Sequence, residues 1–217
     1  KNKKLIEIGQ RVINRETNAL SALSISLDES FSSAIALIMG ASGRVIVSGM
    51  GKSGHIARKI AATMASTGTP AHFVHPAEAS HGDLGMIVKG DIVIILSNSG
   101  ETPELANLIA YSKKCKIPMI GIAQNHQSTL LRKTDISIVL PVAEEACESG
   151  IVPTTSTTMT LALGDALSIA LMETKKFTNN NFREFHPGGK LGVQLSRVKD
   201  VMHTKNSLPL TELNTPM

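Results

Sequence analysis

The chain has no tryptophan, one tyrosine and only 3% aromatic residues over 217 positions. Proteins that hold single-stranded nucleic acid stack bases on aromatic rings, so that class has little to work with here. The basic clusters KNKK (1–4) and KKCK (113–116) are short and read as solvated surface. The net charge of +4 suits a small anionic ligand better than a nucleic acid. No apolar run approaches the roughly 18 residues of a membrane span, and no signal-peptide pattern is present. The only cysteines, Cys115 and Cys147, have neither metal nor redox spacing. They read as small core residues or bystanders in a reducing cytosol, so a cytoplasmic protein is expected. The chain starts at Lys1 rather than Met, so some native N-terminal sequence is expected to be missing.

What is present is a 42% hydrophobic chain with the material for one α/β domain and a short appendage. Its organising stretch runs from Asp91 to Cys115. Ile92-Val93-Ile94-Ile95-Leu96 is an unbroken, mostly β-branched run between turn residues, which predicts a strand buried on both faces. Leu105, Leu108, Ile109 and Ser112 then recur at helical spacing. Between strand and helix lies Ser97-Asn98-Ser99-Gly100-Glu101-Thr102, with Pro103 in the first helical turn, where a missing N–H costs nothing. Unpaired backbone N–H groups and the helix dipole make such a start an anion site. Ser97, Ser99 and Thr102 would add neutral hydroxyl donors. The stretch reads as a phosphate cradle, although an ordinary strand–helix turn has the same outline.

Four more strands are predicted: 44–49, 71–75, 118–123 and 136–140. Helical segments connect them, including a short one near Leu130-Leu131-Arg132. This alternation predicts a doubly wound, five-stranded parallel sheet of flavodoxin-like type. Two amphipathic helices over 1–40 precede it, placed either to cover the sheet or to meet another subunit. A helix over 153–172, apolar on nearly all sides, is expected to be buried. Its PTTSTT start offers capping hydroxyls, or ligand donors if a cleft reaches them.

The first strand runs into Gly49-Met50-Gly51-Lys52-Ser53-Gly54, a literal GxGxxG, which raises a nicotinamide-dependent enzyme as a rival. The ribose-binding acid should then end the next strand. None does, and Glu78 comes two residues late. A P-loop would need Gly at position 46, which is Ile. What remains is a glycine turn that lets backbone approach a ligand, with Lys52 and Ser53 beside it. Lys52 fits a buried cation near phosphate or a developing oxyanion, and equally a solvated lysine at a helix start. Residues 75–86 are polar and read as an irregular strand-end loop. His75 and His81 are candidates for ligand contact by position. The loop at 141–147 carries Glu144 and Glu145.

Together, GMGKSGHIARKIAATMASTGTPAHFVHPAEASHGDLGM, SNSGET, EEAC, PTTSTT and FHPGGKLG resemble, in the same order, the bacterial D-arabinose-5-phosphate isomerases of the sugar isomerase (SIS) superfamily. The resemblance runs from about Gly40 onward. It implies a SIS domain over 1–196, with 197–217 similar to the start of a CBS pair. It also implies interconversion of D-ribulose 5-phosphate and D-arabinose 5-phosphate for Kdo, lipopolysaccharide or capsule synthesis, in a homotetramer. Such isomerisation needs a phosphate anchor, a base, an acid and enediolate stabilisation, but no metal or cofactor. Ser53, Ser97, Ser99 and Thr102 would anchor the phosphate. The resemblance implies catalytic roles for Lys52, Glu104, Glu145 and His186, with His81 lining the site. Lys52 would stabilise charge, Glu104 and Glu145 are both base candidates, and His186 would handle acid–base transfer or ring opening. Glu101 is the weaker base. A non-catalytic sugar-phosphate-binding regulator is the alternative, although 1–40 does not look like a helix-turn-helix domain.

Overall fold

The computed structural model describes residues 2–186, 202–204 and 208. The chain divides into two compact units, Lys1–Phe177 and Thr178–Met217. The boundary expected at 196/197, the Pro187-Gly188-Gly189 turn and nearly all of the stretch similar to a CBS start lie outside the described residues.

The first unit contains the five expected strands: β1 (Val45–Gly49), β2 (Ala71–Phe73), β3 (Ile92–Leu96), β4 (Met119–Ala123) and β5 (Ile136–Val139). They form one sheet in the order β2-β1-β3-β4-β5, and every neighbouring pair is parallel. Every residue of β1, β3 and β4 is buried, as an unbroken Val/Ile run requires. Alternate side chains go to opposite faces. Val45, Val47, Ile92, Ile94 and Leu96 pack under α1 (Asn2–Ser26), α2 (Glu29–Met39), α3 (Gly51–Ser66) and α6 (Thr155–Thr174). Ile46, Val93 and Ile95 pack on the other side, under α4 (Pro76–Ala79) and α5 (Ala106–Lys114).

Some expectations shift. The strand expected over 71–75 stops at Phe73, because His75 caps α4 and Pro76 starts it. The 75–86 segment is therefore not irregular throughout: it contains α4 and a 3-10 turn, Asp83–Met86. The helix α6 buries one stripe (Met159, Leu163, Gly164, Leu167, Leu171) and leaves Ile169 43% exposed. The long helix α1 buries only Ala19 and Leu23, while Leu5, Ile6 and Ile13 remain exposed. Neither cysteine is in the core: Cys115 is exposed and Cys147 half-buried. No single described helix is long and apolar enough to cross a membrane; the bent pair α1–α2 passes by length and composition only together.

The second unit has one described helix, α7 (Asn179–Phe185). Thr178 and Asn181 cap it reciprocally, side chain to backbone in both directions.

Candidate functional site

In an open parallel sheet, ligands sit beyond the carboxyl ends of the strands, where the strand order reverses. Here the chain winds outward from β1 to β2 on one side and from β3 to β5 on the other. The reversal therefore falls between β1 and β3, where Gly49 pairs with Leu96. The two loops singled out in the sequence, GMGKSG and SNSGET, leave those two strand ends side by side.

The first loop is an open helix start. Gly51 has φ +57, a conformation that favours glycine, and nothing lies within 4 Å of where its Cβ would be. Met50 is the N-cap of α3 and makes no side-chain capping bond. The first N–H groups of α3, at Gly51, Lys52 and Ser53, thus have no capping side chain. Lys52 is exposed rather than buried, and Ser53 is half-buried.

The second loop is braced from within. Ser97 is 4% exposed, and its Oγ lies 2.8 Å from Thr102 Oγ1 and accepts the Gly100 N–H at 3.0 Å. Its hydroxyl therefore holds the loop and positions Thr102. Ser99 Oγ accepts the Glu101 N–H at 3.2 Å. Gly100 has φ +70, and a Cβ there would fall 2.2 Å from Ser128 Oγ. Among the described residues, the N–H groups of Asn98, Ser99 and Thr102 have no partner. The turn after Thr102 is 3-10 over Pro103–Leu105 before α5 begins. Glu104 sits exposed in that turn. Glu101 is committed elsewhere: its Oε1 accepts the Thr129 N–H at 2.7 Å, and bonding by Thr129 lowers its pKa.

A cavity of about 520 Å³ reaches the SNSGET loop at Asn98 and is lined also by Gln124, Glu144, Glu145, Cys147 and Arg15 among others, with no residue of GMGKSG in its wall. Its carboxylates outnumber its one cation, so it suits the hydroxylated part of a ligand better than a phosphate. Glu145 is held there by the start of α6. Its Oε2 accepts from Thr154 N at 2.7 Å, Thr154 Oγ1 at 3.2 Å and Ser156 N at 3.3 Å. Its Oε1 accepts from Ser156 Oγ. Burial pushes the Glu145 carboxyl up, but the Ser156 and Thr154 hydrogen bonds outweigh it and hold its pKa below the ordinary value. Two hydroxyls of PTTSTT thus grip this glutamate. The Cys147 thiol is brought down to about 7, chiefly by the Ser149 hydroxyl and then by the Val152 N–H.

The remaining candidates are placed as follows. His75 accepts the Ala77 N–H through Nδ1 at 3.3 Å and so caps α4. His81 is exposed beyond it. His186 lies in the second unit, stacked on Phe182 at 3.9 Å, with Nδ1 2.8 Å from the Phe182 carbonyl oxygen. One contributor has no local signal in the sequence: Arg15 of α1 donates to the Glu145 carbonyl at 3.2 Å across 130 residues. Asn98, inside the SNSGET loop but not singled out from it, has a buried Oδ1 without a partner. Among the described residues, no group of three or more His, Cys, Asp or Glu is placed to hold a metal ion.

The SIS domain profile matches residues 38–170, which contain the whole sheet and both loops. The chain belongs to the SIS domain family. The chain is 48% identical over its full length to arabinose 5-phosphate isomerase KdsD of Pseudomonas aeruginosa, covering 67% of that protein. It is 50% identical over 204 residues to KdsD of Yersinia pestis, 94% of this chain and 62% of that one. The chain thus spans just under or about two thirds of the length of these relatives. A solved E. coli CFT073 protein in complex with arabinose 5-phosphate superposes with a TM-score of 0.84 at 43% identity, covering 86% of this chain and 100% of that one.

Proposed function

We propose that this SIS domain interconverts D-ribulose 5-phosphate and D-arabinose 5-phosphate, supplying Kdo synthesis in the cytoplasm. The observation that carries this reading is the pair of strand-end loops at the sheet's reversal point. One is an uncapped helix start and the other a braced turn with unpartnered N–H groups, and both suit a phosphate dianion. The likeness to the KdsD proteins and to the arabinose 5-phosphate complex names the sugar. In this reading the phosphate is bound by the α3 start, Ser53, Ser99 and Thr102, while Ser97 positions Thr102. Lys52 stabilises the enediolate. Glu104, free of hydrogen bonds to other described residues, takes the proton alpha to the carbonyl. Glu145, already ionised by four donors, positions the wall of the cavity rather than abstracting. His186 supplies acid–base transfer from a neighbouring subunit of a homotetramer, and 197–217 leads into a CBS pair. His81 lines the site.

The test is direct conversion of ribulose 5-phosphate by the purified chain; absence of isomerisation sinks the reading. Glu104→Gln is expected to lower kcat by about 10²–10⁴-fold and to abolish solvent exchange at the substrate carbon, because a carboxamide cannot take the proton. If exchange persists in Glu104→Gln and disappears in Glu145→Gln, the two glutamates trade roles. For His186, mixing His186→Ala with Glu104→Gln chains is expected to restore activity, since some shared sites then carry neither defect. No recovery after confirmed subunit exchange means each site belongs to one chain.

A further inference from the structure

The KKCK cluster does not stand alone in the fold. A cavity of about 400 Å³ at the amino end of β4 brings Lys113 and Lys116, at the end of α5, against Arg132 and Lys133 from the 3-10 turn Leu131–Lys133. None of the four is in an ion pair among the described residues. The only carboxylate in the wall, Asp135, accepts the Met119 N–H at 2.7 Å and is held at the strand start. Four cations face Asp135 in the wall and Glu101 outside it, whose carboxyl is drawn down chiefly by Thr129 and in part by Arg132 and Lys133, which leaves two net positive charges. The carboxyl end of α5 contributes a partial charge of only about −0.5, so the cavity stays positive. That dipole accounts for a lysine at 113, but not for the two cations brought in from the 3-10 turn. Nor does it explain Lys116, which takes φ 55 where glycine is usual. Ser112 is also part of the wall: it is 0% exposed, and its Oγ has no hydrogen-bond partner. A buried hydroxyl without a partner is costly unless something completes it.

We propose that this cavity is a second anion site, taking the phosphate or pyrophosphate group of a small phosphorylated molecule. The guanidinium of Arg132, whose Nη1 also donates to the Gln127 carbonyl oxygen, and the lysine ammoniums match phosphate oxygens, and Ser112 supplies a neutral donor. The volume is within the range of small-molecule sites. The sheet is parallel, so Met119 in this wall stands at the opposite end of the strands from the SNSGET loop, although Lys133 also lines a smaller cavity with Gly100, Glu101 and Thr102 of that loop. Met119 to Ala123 spans about 13 Å at the usual strand rise. The proposal does not rest on the isomerase reading, and its ligand is distinct from a substrate at the strand carboxyl ends.

The experiment is calorimetric titration of the full chain with pyrophosphate at low salt. Wild type is expected to show a binding event that survives Met50→Asp, which closes the α3 start, and is lost in Lys116→Asn/Lys133→Gln. Asparagine suits the left-handed position and both sites are exposed, so the fold should persist, as circular dichroism would verify. Ser112→Ala is expected to weaken that event several-fold, which diffuse surface attraction would not show. Binding that disappears with Met50→Asp, that is unchanged in the lysine double variant, or that ignores Ser112→Ala overturns the proposal.

Discussion

Two helix starts at the candidate site face the same electrostatic problem and resolve it in opposite ways. Both α3 and α6 begin with N–H groups that have no partner in their own helix. At α6 the chain supplies the anion itself: Glu145 reaches the start from outside the helix and accepts from Thr154 and Ser156. At α3 the N-cap is Met50, whose side chain caps nothing, and Gly51 leaves open space over the turn. A helix start filled by its own carboxylate is a rigid wall. One left open is a place for a ligand's charge. In the proposed function this contrast is the reason Glu104 rather than Glu145 takes the proton, since a carboxylate engaged by several donors is a weaker proton acceptor.

The comparison breaks most visibly if Glu145 is removed. Glu145→Ala leaves the start of α6 uncapped, and loss of a cap plus charge-assisted bonds is worth about 2–3 kcal/mol. For a domain of this size that is a fall in Tm of roughly 5–10 °C, readable by scanning calorimetry. An unchanged Tm would mean that the carboxylate does not hold the helix.

The converse variant closes α3. Met50→Asp gives that helix the cap it lacks and puts a negative charge where the phosphate is proposed to sit. Stability should rise by about 1 kcal/mol. Affinity for sugar phosphate should fall at least about tenfold, since about 1.4 kcal/mol is a factor of ten. Undiminished substrate affinity would remove α3 from the site.

A smaller effect is expected within the second loop. Ser99→Ala with Thr102→Ala deletes two neutral donors but leaves the backbone N–H groups. KM should rise clearly and kcat fall less, because phosphate contacts exist in ground and transition states alike. Steady-state kinetics showing an unchanged KM would place the phosphate elsewhere.

The subtlest difference is in pH dependence. Glu145 is depressed below its ordinary value of 4.5 in the folded chain. Its contribution to stability is then complete above 4.5 and lost as pH falls through the lower, folded value. Urea unfolding midpoints should show a steeper acid decline in wild type than in Glu145→Gln below pH 4.5. Parallel curves would mean that the carboxylate is not preferentially stabilised by folding.

Much of the fold could be read from local pattern. The Val/Ile runs of β1, β3 and β4 announce buried strands, and their alternation with helical spacing announces a parallel sheet. The strand ends were less legible. His75 reads as strand from its neighbours, yet it caps a helix because Pro76 starts one. Of the candidate residues, Ser97, Ser99 and Thr102 were visible as a cluster, but not their division of labour. The Ser97 hydroxyl is 4% exposed and braces the loop, accepting the Gly100 N–H and pairing with Thr102. Lys52 reads equally well as a buried or a solvated lysine, and the fold leaves it exposed.

The sequence by itself determined the strands and the two glycine-bearing turns, because these depend on side-chain periodicity and on backbone conformations encoded within a few residues, and it pointed to the family through the ordered motifs that resemble it. Only the tertiary structure decided what those turns face. Strand order sets the reversal point between β1 and β3; the flavodoxin-like type expected from the strand–helix alternation carries that order, and the observed pairing realises it. Only long-range packing placed Arg15 on Glu145, the four cations at the amino end of β4, and Glu145 itself. Its role depends on donors 9 and 11 residues away that become its partners only once α6 has docked.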